Sequence, residues 1–144
     1  MSTLQHNDPS PSHSAPDAIV NLFSHVKRDD AAFAGEGLRP FFVYRDLGIA
    51  TATGGRVRAQ AVRAARPSDG GTGLHFHGLD LHIVYVTQGW LKFNYDGQGE
   101  TLVSAGDCVY QPPGIKHELF DWSPDMEFIE ITSPADFQTT ELPA

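Results

Sequence analysis

The chain is poor in several things that would have pointed to a particular class of protein. It has a single cysteine, Cys108, so no intrachain disulfide can form and a reducing compartment suits it. Cations are scarce, ten Lys and Arg against eighteen Asp and Glu, giving a formal net charge of -8. The longest cationic cluster is Lys27-Arg28, which argues against nucleic acid or an anionic membrane as a partner. No apolar run is long enough to span a bilayer, and the first residues lack the basic-then-apolar pattern of a signal peptide. A cytoplasmic protein is expected. Gly-x-Ser-x-Gly, a Gly-rich phosphate loop and a zinc-type cysteine pair are all missing, which removes the commonest hydrolase, nucleotide and zinc-ribbon readings. What remains is 144 residues, 40% hydrophobic, enough for one domain with a core of its own.

Composition divides the chain. Residues 1–16 are polar and rich in Ser and Pro, so a disordered N-terminal tail is expected, with His6 and His13 as solvated tail histidines. Over residues 17–34, Ile19, Val20, Leu22, Phe23 and Val26 recur at helical spacing behind Pro16-Asp17, and Lys27-Arg28 suit a helix C-terminus. A short N-terminal helix of about ten to twelve residues follows, near the usual mean length, with His25 on its surface. From residue 38 to 133 the pattern is β. Phe41–Tyr44 and Val57–Ala64 read as strands, while Leu47–Thr53 is left open between a turn and an irregular strand. Beyond Pro67-Ser68-Asp69-Gly70-Gly71, short strands alternate with turn signals: His82–Thr87, Trp90–Tyr95, Glu100–Ser104, Cys108–Tyr110, His117–Trp122 and Met126–Thr132. Residues 134–144 read as a polar C-terminal tail.

Histidine is the residue type out of proportion. Three of the seven lie between positions 75 and 82, and His117 follows Pro112-Pro113-Gly114. On a strand, His75 and His77 project from one face, so two ring nitrogens can converge on one ion. His82 has the wrong parity for that face unless the chain turns onto a neighbouring strand near Gly78. Neutral imidazole suits zinc, copper, iron and nickel. Alternation about His117 sends Leu119 and Asp121 inward, and Glu118, Phe120 and Trp122 outward.

Two glycine-punctuated blocks carry a family resemblance. The segment Gly71…His75-x-His77-x4-His82-x6-Gly89 resembles the first cupin motif, and Gly106-Asp107-x4-Pro112-x-Gly114-x2-His117-x3-Asp121 resembles the second. The resemblance implies an all-β, single-domain jelly-roll β-barrel in which His75, His77 and His117 hold one divalent transition metal, Fe, Zn, Ni, Cu or Mn. The first motif usually carries glutamate where this chain has His82, and the second usually ends in asparagine where it has Asp121. Two readings of His82 follow: a fourth ligand in an all-histidine site, or a polar group beside a three-histidine one. Neutral ligands leave the metal's charge intact, which favours an anionic oxygen ligand such as an enolate, phenolate or carboxylate.

Tyr85, Tyr95 and Tyr110 are the candidate acid/base or hydrogen-bonding residues, each weighed against simple packing. Gln111 and Asp121 are candidates for orienting an imidazole, and Asp80 for the same or for facing solvent. Cys108 reads as a small buried hydrophobe, and Trp90, Phe93 and Phe128 as core. The leading function is a metal-dependent enzyme acting on a small enolisable or aromatic molecule, dioxygenase-like or cyclase- or isomerase-like. The alternatives are a non-catalytic, metal-containing ligand-binding or sensor module and a metal-free structural barrel. A homodimer is expected, because it hides exposed sheet edges.

Overall fold

The computed structural model describes residues 19–35 and 37–143; the expected N-terminal tail, with His6 and His13, lies outside them. Ten strands and one helical turn follow in chain order: β1 (Phe42–Asp46), α1 (Ile49–Ala52), β2 (Arg58–Ala64), β3 (His75–His77), β4 (Leu81–Gln88), β5 (Trp90–Tyr95), β6 (Gly99–Ser104), β7 (Cys108–Tyr110), β8 (His117–Trp122), β9 (Glu127–Ser133) and β10 (Thr139–Glu141). They form two antiparallel five-stranded sheets, ordered β1-β2-β9-β4-β7 and β10-β3-β8-β5-β6. The sheets face each other as a jelly roll. Their hydrogen-bonded ladders stay separate and do not close into one continuous barrel.

Period-two patterning explains the inner faces. On β5, Leu91, Phe93 and Tyr95 are buried, while Trp90, Lys92 and Asn94 face outward. On β4, His82, Val84 and Val86 are buried and Tyr85 is exposed. Aromatic rings stitch the two sheets together. Phe42 on β1 packs edge-on against Trp122 on β8 across the sheets at 5.0 Å between centroids, and against Phe128 on β9 of its own sheet at 6.3 Å. Each such side chain contributes about 1.5–3 kcal/mol by leaving water.

Of the helix expected over residues 17–34, none forms among the described residues 19–34. Residues 19–26 run without regular structure, and their backbone groups bond sideways. The Leu22 N–H donates to the Ala52 carbonyl at 2.9 Å, and Arg56 Nη2 donates to the Val20 carbonyl at 3.0 Å. Phe23 is 95% exposed, so no buried apolar stripe holds a helix together. The helical turn forms instead at α1, where either a turn or an irregular strand was open. The C-terminal segment also differs from the expected tail, because Thr139–Glu141 adds β10 to the edge of β3.

Alternation fails in β8. Lys92 pairs with Asp121 and Phe93 with Leu119, leaving Phe120 as an extra residue. This bulge reverses the faces beyond it, so Trp122 is buried and Asp121 turns away from the interior. Cys108 is exposed, because β7 is an edge strand whose Cys108 and Tyr110 share the outer face.

Candidate metal centre

The odd spacing between His77 and His82 is resolved by a change of sheet. β3 belongs to one sheet and β4 to the other, and residues 78–80 carry the chain across. Gly71, ahead of β3, sits at φ +71° against β8, where a Cβ would run into the Leu119 carbonyl. That close approach lets Thr72 clamp the seam: its N–H donates to the Leu119 carbonyl at 2.9 Å, and its Oγ1 accepts from the Leu119 N–H at 3.0 Å. His75 then lies directly opposite His117 in the β3–β8 register. The turn at Pro112–Ile115, closed by the Ile115 N–H on the Pro112 carbonyl at 3.1 Å, delivers His117. Asp107 accepts from the Ser104 N–H at 2.8 Å and serves its turn rather than the site.

His75, His77 and His117 are all buried, and each offers one ring nitrogen within 4.8 Å of the others. Their other nitrogens are engaged. Nδ1 of His75 faces the Gly73 carbonyl at 2.7 Å and Nδ1 of His117 the Ile115 carbonyl at 2.9 Å. A carbonyl only accepts, so both rings carry the proton on Nδ1 and leave a lone pair on Nε2. His77 Nδ1 is held by Thr139 Oγ1 of β10 at 2.8 Å. Burial lowers the pKa of all three, with the neighbouring imidazoles adding to it; His77 falls to about 3 and His117 to about 4. At neutral pH they are uncharged, the form that binds a metal. Three converging neutral imidazoles, two of them with the tautomer fixed by a carbonyl, fit a divalent transition metal.

His82 lies in the same cavity but outside this trio. Its ring centroid is 5.4 Å from that of His77 and 6.3 Å from that of His117. Its Nε2–H donates to Glu130 Oε2 at 3.0 Å, and Gln60 Nε2 donates to Glu130 Oε1, also at 3.0 Å. Burial alone would raise the Glu130 pKa; the hydrogen bonds and nearby charge of His82, with the Gln60 amide, outweigh it and lower the pKa, keeping the carboxylate ionised.

The other candidates fall elsewhere. Tyr85 and Tyr110 are exposed on outward-facing positions and do not line the cavity. Tyr95 is buried behind His117, with its ring 5.8 Å away and its hydroxyl accepting from Gln111 Nε2 at 2.7 Å. Gln111 lines the cavity but bonds Tyr95 rather than an imidazole, and Asp121 accepts from the Trp122 N–H. Asp80 is exposed. Phe93 and Phe128 are core and cavity wall at once.

Sequence reasoning missed Arg39, Tyr44, Gln60 and Glu130, which all line the cavity. Glu130 had a signal: Phe128, Glu130 and Thr132 share one face of β9, so a carboxylate occurs among inward-facing positions. The Tyr44 hydroxyl accepts from the Arg39 N–H at 2.9 Å, and burial pushes its pKa up to about 12, so it stays protonated. The cavity leaves about 70 Å³ of space that a water-sized molecule can enter. Its remaining wall is largely apolar, as small-molecule sites usually are.

The comparisons with known proteins agree with the fold. The family model for the cupin domain matches residues 64–131. No curated protein matches the chain in sequence. Among solved structures, the polyketide cyclase RemF from Streptomyces resistomycificus is 19% identical with a TM-score of 0.67, covering 85% of this chain and 87% of its own. KdgF from Halomonas sp. is 24% identical with a TM-score of 0.62, covering 77% and 94%. A sugar phosphate isomerase of the cupin superfamily from Silicibacter pomeroyi is 21% identical with a TM-score of 0.54, covering 72% and 82%. At such identities the likeness is one of fold.

Proposed function

We propose that this chain, whose residues 64–131 match the cupin-domain model, is a metal-dependent enzyme of the cupin fold acting on a small organic molecule. The observation that carries the proposal is the set of three buried, neutral histidines, His75, His77 and His117, whose ring nitrogens converge inside an apolar cavity. A divalent transition metal held there supplies Lewis acidity toward an anionic oxygen, or an electron path to dioxygen if it is iron. The protein's own contribution is to fix the imidazoles and to exclude water. His82 would stand beside a metal held by the trio, because the ring nitrogens that lie within 4.8 Å of one another are those of His75, His77 and His117, while its own Nε2–H donates to Glu130. That pair, braced by Gln60, holds a proton at Nε2 and a carboxylate at the wall, the parts needed for acid/base work on a bound ligand. Cyclisation or isomerisation of an enolisable compound uses both a Lewis acid and such a proton-handling pair. RemF is a polyketide cyclase, and another neighbour is a sugar phosphate isomerase. The same reactions therefore form the favoured class here.

Elemental analysis of protein purified without a nickel column tests the reading. Near-stoichiometric metal is expected in the wild type and in His82→Ala, and its loss is expected in His117→Ala. If no metal can be loaded into the wild type, the reading is wrong. If His82→Ala loses metal as completely as His117→Ala, His82 is a ligand.

A further inference from the structure

Arg39 comes from the loop ahead of β1, far in sequence from the histidines, yet it lines the same cavity. Its backbone is pinned at both ends: the N–H donates to the Tyr44 hydroxyl, and the carbonyl accepts from the Phe42 N–H at 3.3 Å. The side chain is 14% exposed. Nη1 donates to Glu141 Oε1 at 2.8 Å, on β10, whose register partner on β3 is His75. Nη2 is fully buried and has no hydrogen-bond partner among the described residues. A guanidinium cannot shed its charge to relieve such a position, and unpaired buried donors are costly and rare.

Among the described residues two other buried side-chain atoms lack partners, Gln111 Oε1 and Thr132 Oγ1, but neither carries charge. Apart from the histidines, the charged groups on the cavity wall are Arg39 and Glu130. An anionic end is repelled by one and drawn to the other, which gives a ligand a direction. Phe42, Phe93, Phe128 and Phe137 supply apolar surface between polar groups.

We propose that Arg39 is the anion-recognition residue of this cavity and that the ligand is a small organic carboxylate. One carboxyl oxygen accepts a charge-assisted hydrogen bond from Nη2, and the apolar body lies against the phenylalanines. The inference rests on the cavity being the substrate site, and it adds the substrate's chemical class.

Benzoate, with benzamide as its neutral counterpart, is titrated calorimetrically into the full chain, both metal-free and zinc-loaded. The variants are Arg39→Gln, Arg39→Lys and Glu141→Gln, each checked for folding by circular dichroism and for zinc content. In metal-free wild type, benzoate is expected to bind about tenfold more tightly than benzamide, the scale of one charge-assisted contact. Arg39→Gln abolishes the preference, Arg39→Lys retains part of it, and zinc content is unchanged in both. Glu141→Gln, which removes a competing carboxylate, tightens benzoate. Equal affinity for the two probes in the wild type, no benzoate binding to either form, a preference surviving Arg39→Gln, or weaker benzoate binding in Glu141→Gln overturns the proposal. The two readings fail separately. A protein that cannot hold zinc but selects benzoate through Arg39 sinks only the metal reading. One that holds zinc with no dependence of benzoate on Arg39 sinks only this one.

Discussion

Thr139 shows how much a single side chain outside the histidine motifs can govern. It meets His77 Nδ1 at 2.8 Å from an added edge strand, and such partners set the orientation and basicity of the ligand nitrogen. Thr139→Val removes the hydroxyl at nearly constant volume. It is expected to weaken metal binding by about tenfold, measured by competition against a chelator of known affinity. Unchanged affinity would mean that the ring is held by packing alone. The motifs made His75, His77 and His117 legible because ligand type and spacing are written in the chain. Thr139 was not legible, since nothing in a polar C-terminal stretch says which edge it will meet. Glu130 lies between these cases: its inward parity was readable, but not its partner His82, which is 48 residues away in sequence.

At the scale of elements, the site depends on how closely β3 can approach β8. Gly71 and Gly73 both have left-handed φ, +71° and +70°, but only at Gly71 would a Cβ meet the Leu119 backbone. Gly73→Ala is therefore expected to cost about 1–2 kcal/mol, the backbone penalty alone. Gly71→Ala should cost clearly more, because the clamp between Thr72 and Leu119 must also give way. Urea unfolding reads both; equal losses would remove the close-approach argument. Strand existence was readable across most of the fold, because alternation and turn residues are local. The bulge at Phe120 was not, and it exchanged Asp121 for Trp122 on the inner face. The expected N-terminal helix failed for a related reason: periodic apolar residues describe a helix only if a surface receives the stripe. Here the arm's backbone is taken up by Ala52 and Arg56 instead.

For the whole molecule, burying several neutral histidines together makes stability depend on pH. His77 and His117 have folded pKa values of about 3 and about 4 against an ordinary 6.5. Between those values the unfolded chain binds more protons than the folded one, so stability rises with pH across that window and is fully present above about 6.5. The melting midpoint of metal-free protein should fall between pH 7 and pH 5, above the range where most carboxylates titrate. His117→Asn should flatten the slope, and a flat wild-type profile would contradict the burial argument. Ile19, Leu22 and Phe23 remain exposed on the arm, and we expect them to be covered by a second copy of the chain. Light scattering should then give about twice the 15.7 kDa monomer mass, reduced by Phe23→Ser; a monomeric wild type would refute this. The sequence by itself determined the all-β class, the two histidine blocks and the shared face of His75 and His77, because periodicity, turn chemistry and ligand spacing act over a few residues; that His117 joins them was what the family resemblance implied. Only the tertiary structure decided that His82 answers to Glu130, that Arg39 joins the cavity and that the last strand orients His77. Those contacts join segments far apart in the chain, and the packing of two sheets, not any local preference, brings them together.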